Sequence, residues 1–334
     1  MIARTSIHLQ FPLWILPSDQ LKPMMTTVGE LGVTVHPPVP DTSVVSVATV
    51  QVDDEQAVLC GAIVVDVHGE FDRRIESDHA HLVDTGFAVA AEFMARLRVL
   101  SLAAAMKPLQ RSGTSWRLDF FRDDGSSFEM DPTLVRGRAS LWSSPGTFTY
   151  VSPEAWQQAF SPTAIPPTAD LILDAIAALP HVGSALTLAA TAIEVRVSTA
   201  LEILAPLRTD VVSPEFWSWV NDRRNDHKRQ PAVDEELREL LALFTGHDLH
   251  ERADLWKFFT DLRQARNRFA HEGVASIGGK LVDVERAGGL IDGARQIIDW
   301  IESFLPAQFR RPTLVVERKL SVMIPLGGVS AGGA

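Results

Sequence analysis

The chain has 334 residues, 46% of them hydrophobic and 22% charged, and a net charge of -11. That length suits two domains, and the composition excludes a disordered or low-complexity chain. The acidic balance excludes a protein that coats nucleic acid through a broad basic face but leaves room for a local phosphate site, and the single cysteine, Cys60, excludes an internal disulfide or a cysteine-rich metal site.

Residues 1–16 hold one basic residue, Arg4, and an apolar stretch broken by Gln10 and Pro12, without the cleavage site of a secretory signal. No apolar run approaches the roughly 20 residues that span a bilayer. The expectation is a cytoplasmic protein with no membrane partner. From residue 1 to about 160 the sequence mostly alternates with period two, which predicts strands at 43–52, 57–67, 115–121 and 147–151. One helix interrupts them at about 85–105, its apolar face built from Phe87, Ala90, Ala91, Met94, Leu97 and Leu100. Asp124-Gly125 predicts a turn into a further strand at 126–130. The 1–160 segment therefore reads as an α+β domain, of sensor or regulatory type, whose activating ligand or partner is open. Before its helix lie Asp78, His79, His81 and Asp84, with His68 nearby. In a strand, His79 and His81 would point to one face as metal ligands do. The other reading is a polar loop, and the expectation is no metal and no cofactor.

Residues 161–167 form a proline-rich break, after which the period becomes 3.6. Helices are predicted at about 169–179, 184–205, 214–229, 233–245, 251–272 and 286–304. Ser213 and Pro214 mark one start, and Gly246, Gly273 and Pro306 mark ends. The 161–312 segment thus reads as an all-α bundle, followed by a tail at 313–334 with a strand-like run at 313–316. Leu237, Leu240, Leu241 and Phe244 read as bundle interior. So do the Trp217/Trp219 pair and the Trp256, Phe258, Phe259 cluster, in preference to base-stacking surfaces. Arg223, Arg224, Lys228 and Arg229 are either a solvated helix end or a phosphate-gripping surface.

In the 251–272 helix, Leu255, Phe258, Phe259, Leu262, Ala265 and Phe269 form the stripe that faces the core. Arg263, Asn267 and His271 recur every four residues on the opposite side, with Arg266 beside Asn267. Cleavage of RNA by its own 2′-hydroxyl needs a base, an acid and a cation for the charge that builds on phosphorus. Histidine serves as either acid or base near neutral pH, and an arginine fork matches phosphate. Spacing alone is weak evidence, since Arg74 and His79 repeat it without an apolar stripe behind them.

With its setting in a helical block, the run from Arg266 through Asn267 to His271 resembles the catalytic motif of the HEPN superfamily, over about residues 169–305. The resemblance implies a helical bundle, a homodimer in which two motifs face each other, and metal-independent endoribonuclease activity leaving a 2′,3′-cyclic phosphate. It marks Arg266 and His271 as catalytic, Asn267 as supporting, and Glu194 as the acidic residue some members place beside the motif. Arg263 and Arg268, with the four cations of 221–229, are the RNA contacts expected around it. By family analogy such a fusion suits a toxin or antiphage effector. The alternative is a catalytically inactive dimerisation or ligand-binding module beside a sensor domain. The sequence carries no Walker-type phosphate loop, no Gly-x-Ser-x-Gly elbow and no His-Glu-x-x-His helix.

Overall fold

Strand β1 (Ile2–Ile15) runs through the middle of an antiparallel sheet in the N-terminal half. The computed structural model describes residues 1–16, 21–40, 49–72, 74–111, 114–126, 128, 134–136, 149–160, 167–225, 231–312 and 320–323. Two units emerge, residues 1–162 with 313–334, and residues 163–312.

In the first unit β2 (Met24–Val28), β3 (Leu31–Pro40), β6 (Val58–His68), β1, β7 (Trp116–Phe121) and β8 (Leu134–Arg136) pair in that order. A short β9 (Thr149–Val151) adds a parallel pairing along β1, and α2 (Pro153–Gln158) follows it. A second, small sheet joins β4 (Thr49–Val52) and β5 (Glu55–Gln56) to β12 (Leu320–Met323), so β12 belongs to the first unit. Ala3, Thr5 and Ile7 of β1 point to the side covered by α1 (Glu76–Leu100), where Leu82, Phe87, Ala90, Met94 and Leu97 are buried. The other side carries a charged cluster. Arg4 Nε and Nη2 donate to the two Asp66 oxygens at 2.7 and 2.8 Å, and His36 Nε2 lies 2.8 Å from Asp66 Oδ2.

Two expectations need correction here. The helix begins at Glu76, not near 85, and stops at Leu100, because Leu102 takes a positive φ of 49°. The segment around Asp78 to Asp84 is therefore neither loop nor strand. β7 pairs with β8, and most of the expected strand at 126–130 lies outside the described residues. The Asp124-Gly125 turn is present, with Gly125 at φ 81°. Residues 43–48, 147–148 and 313–316 of the predicted strands, and 226–229 of a predicted helix, also lie outside the described residues.

The second unit is helical, with α3 (Pro167–Ala178), α4 (Val182–Leu204), α5 (Pro214–Asn225), α6 (Val233–Glu235), α7 (Leu241–Thr245), α8 (Ala253–Glu272) and α9 (Val284–Ser303). The expected 233–245 helix is divided by a π-turn at Glu236–Leu240. α4 packs against α3, α8 and α9, and its buried alanines at 185, 189, 192 and 200 permit that close approach. The unit is not wholly α, since β10 (Ser276–Ile277) and β11 (Lys280–Leu281) form a hairpin. Its Gly278-Gly279 turn has both residues at positive φ, as a two-residue hairpin turn demands. Among the described residues no helix is long and apolar enough to cross a membrane.

Candidate active site

α8 is set in place by its apolar stripe and by two glycines on its neighbours. Leu255, Phe259, Leu262 and Ala265 are buried, and Phe258 and Phe269 pack against the same core. The Phe269 ring occupies the space where a Cβ on Gly183 of α4 would fall within 2.1 Å of it. Phe258 does the same at Gly293 of α9, at 2.5 Å. Clamped at both points, the helix cannot roll. It ends at Gly273, whose φ of 74° breaks the α conformation and whose N–H bonds to the Phe269 carbonyl at 2.9 Å.

That fixed roll exposes Arg263, Asn267, Arg268 and His271, with His271 in the last turn as expected. Arg266 departs from the expectation. It follows Phe259 and Leu262 at seven and four residues, on the edge of the apolar stripe and not opposite it, and its side chain is 36% exposed. At about 100° per residue, Arg266 and His271 point about 140° apart.

Phe259, Leu262 and Arg266 line a groove of about 160 Å³ between α8, α4 and the start of α6. Ile193 contributes to its floor, and Glu194, Asp234, Arg263 and Asn267 complete its polar wall. Arg266 Nη1 donates to Asn267 Oδ1 at 3.1 Å, and its Nη2 lies 3.8 Å from Glu194 Oε1. Arg263 Nη1 pairs with Asp234 Oδ2 at 2.9 Å. Partial burial would raise the Asp234 carboxyl, but the Arg263 guanidinium outweighs it and holds the group below its usual range. Two guanidiniums thus face two carboxylates, and the groove is close to neutral. His271 does not line it. Arg268 pairs with Glu272 one turn on, away from the groove wall.

The remaining expected RNA contacts divide. Arg223 and Arg224 fall in the last turn of α5, whereas Lys228 and Arg229 lie outside the described residues. Trp217 meets the core expectation, edge-on to Phe244 at 5.4 Å, as do Leu237, Leu241, Phe259 and the partly buried Trp256. Trp219 does not, being 52% exposed. In the first unit His79 and His81 sit on α1, where a spacing of two turns side chains about 200° apart, so the convergence a strand would give is missing. The His79 ring leans on Phe120 at 5.1 Å and Asp84 pairs with Arg111. Among the described residues no three His, Cys, Asp or Glu side chains are grouped to hold a metal ion.

Sequence reasoning missed Asp234 and the buried Arg196. Asp234 has the ordinary signature of an acid in a helical first turn, which conceals its role as the partner of Arg263. Arg196, two residues after Glu194, turns inward, pairs with Glu302 at 2.8 Å and donates to the Phe309 carbonyl at 2.8 Å. Burial pushes the Arg196 guanidinium down and the Glu302 carboxyl up, each opposed by their mutual attraction. The pair fixes the roll of α4 and hence the direction of Glu194. No protein-family model matches the chain, and neither a curated protein nor a solved structure matches it.

Proposed function

We propose that the helical unit is a HEPN-type endoribonuclease that cleaves RNA without a metal and works as a homodimer. The observation that carries this reading is Arg266, held between Glu194 and Asn267 at the mouth of an apolar-floored groove. A guanidinium so braced can meet a phosphate with little loss of side-chain entropy. In the reaction a base removes the ribose 2′-proton, the 2′-oxygen bonds to phosphorus, and the bond to the 5′-oxygen breaks as an acid protonates it. The products are a 2′,3′-cyclic phosphate and a 5′-hydroxyl. His271 serves as acid or base and Arg266 stabilises the charge on the phosphate oxygens. Because His271 diverges from Arg266 within one chain, a second copy completes the site. Val274, Leu281 and Val284, exposed just after His271, offer an apolar surface for that contact. The first unit then acts as the sensor that restrains the activity, as a toxin or antiphage effector requires.

A second reading, a catalytically silent binding module, draws on the paired state of the groove cations. Cleavage of mixed RNA in EDTA separates the two. The ribonuclease reading expects a dimer, cyclic phosphate ends, and a loss of about two to three orders of magnitude in Arg266→Ala and in His271→Ala. Arg74→Ala and His79→Ala are the controls and should cut as wild type does. If Arg266→Ala and His271→Ala melt and cut like wild type, the ribonuclease reading is refuted.

A further inference from the structure

We infer that the outer edge of β2 is a self-pairing surface, on which a second copy of this chain adds its own β2 antiparallel across a two-fold axis at Thr26. The surface belongs to the first unit, outside the span of the ribonuclease resemblance, and does not rest on that reading. β2 ends the sheet, and among the described residues its one strand neighbour is β3. Such an edge offers a row of unused N–H and C=O groups, and proteins ordinarily blunt it with charge, proline or a bulge. Met24–Val28 (MMTTV) has none of these. Every residue of it after Met24 is exposed, Met25 at 78%. The strand is nevertheless held in place. Met24 packs on the core, and just before it Trp156 of α2 donates from Nε1 to the Lys22 carbonyl at 2.9 Å.

Hydrogen-bond parity limits how two such edges pair. Val28 and Leu31 flank a two-residue turn, whose own bond makes them a hydrogen-bonded pair. Bonded and non-bonded pairs alternate along antiparallel strands. Thr26 and Met24 therefore direct their backbone groups to β3, while Met25 and Thr27 aim theirs at the open edge. An axis at Thr26 sets Met25 opposite the second copy's Thr27, where the two exchange both bonds, and symmetry repeats the exchange. Charge selects this register. Lys22 and Glu30, four residues either side of Thr26, are both exposed, and neither has an ion pair among the described residues. The axis at Thr26 brings each Lys22 to the turn that holds the second copy's Glu30, and opposite charges across strands attract. An axis at Met25 or Thr27 keeps the parity but moves these charges apart. In a chain of net -11, two copies repel over most of their surface. An uncharged strand with ends of opposite sign is where they meet without that repulsion. An unrelated peptide would use the same backbone groups but would gain nothing from the match of Lys22 to Glu30.

Sedimentation velocity of the full-length chain across a concentration series reads the self-association, with thermal melting as the check on folding. Thr26→Lys sets like charges against each other on the axis, and Glu30→Lys does the same beside Lys22. Each should weaken association by about 5- to 30-fold, and Lys22→Glu combined with Glu30→Lys should restore it. On mild oxidation Thr26→Cys should crosslink two copies, since the pair on the axis is of the closely spaced kind. Val28→Cys, far from its own copy, should not, and the buried Cys60 of the wild type is the background control. If the helical unit also dimerises, as the ribonuclease reading expects, the wild type carries two two-fold surfaces and forms species above the dimer. Thr26→Lys then stops at a dimer, and without a helical dimer it is a monomer; either result supports the edge. Variants that melt and sediment like wild type overturn it and leave the helical dimer untouched. Weakened association that the double exchange does not restore, or that comes without the Thr26→Cys crosslink, also overturns it, since the two copies are then not paired in this register.

Discussion

Replacing Asp66 with asparagine should destabilise the first unit in a way that vanishes in acid. Asp66 sits on β6 directly opposite Arg4 of β1, almost wholly buried, with two hydrogen bonds from Arg4 and one contact to His36. Burial alone would raise its pKa, but Arg4 and His36 outweigh that and lower it from the ordinary 3.8 to about 2. The gap, at about 1.4 kcal/mol per pH unit, is worth about 2 kcal/mol. Arg4 is 38% exposed and partly screened, which brings the expectation to roughly 1–2 kcal/mol. Because the folded-state pKa lies below the ordinary one, this stability is complete above about pH 4 and is lost as the pH falls from there through about 2. Hydrogen exchange over peptides covering 2–15 and 58–68, corrected for the intrinsic rates, reads the opening energy of this unit alone. Wild type and Asp66→Asn should differ at pH 6 and converge near pH 2. A difference of the same size at both pH values would refute the reasoning, and so would no difference at pH 6.

In the helical unit, Arg196→Ala should cost about 3–5 kcal/mol by leaving Glu302 buried without its main partner, while Arg196→Met with Glu302→Leu should come close to wild type in urea unfolding. Equal losses in the two variants would show that the site is held by packing and not by charge. Gly183→Val should displace the Phe269 ring, lower stability by about 1–3 kcal/mol and reduce RNA cleavage through the shifted α8; wild-type melting would show that the ring is not seated on Gly183. Asp234→Asn releases Arg263 for one more phosphate contact, so the log–log salt dependence of single-strand RNA binding should steepen by about 0.7. An unchanged slope would mean that Arg263 does not meet the backbone.

The strands at the start of the chain are hidden in the sequence for an identifiable reason. β1 alternates well from Ala3 to Leu9, but Pro12 interrupts it, and β3 holds Pro37 and Pro38. In the structure these prolines fall at register shifts, between His8 and Leu13 on β1 and between His36 and Val39 on β3. A bulge needs no ladder hydrogen bond from the residue it displaces, so proline there interrupts the pairing without ending the strand. The start of α1 is hidden in the sequence because its first turns, from Glu76 to His81, carry few apolar residues and a helical stripe cannot be counted before Leu82. The helical unit is more legible, since four of its six expected helices carry a start or end signal. Ser213 Oγ accepts from the Phe216 N–H at 3.2 Å, and Gly246 and Gly273 both take left-handed conformations.

The candidate site was legible in its residue types and not in its partners. Spacing groups Arg263, Arg266, Asn267 and His271, whereas only the first three line the groove, and a helical wheel does not show what the facing helices bring. The partners came from elsewhere: Glu194 from α4 and Asp234 from the start of α6. Their carboxylates cancel the two groove cations, which is why a count of arginines on α8 overstates the field a phosphate would meet. Attraction over distance then has to come from cations not paired inside the groove, and the basic stretch that follows Trp219 is where the sequence concentrates them. In the proposed enzyme the neutral groove would discriminate, since only a phosphate that draws Arg266 from Glu194 gains its full charge. The 3.8 Å separation of Arg266 and Glu194, longer than the 2.9 Å of the Arg263 and Asp234 pair, makes Arg266 the cation more easily released.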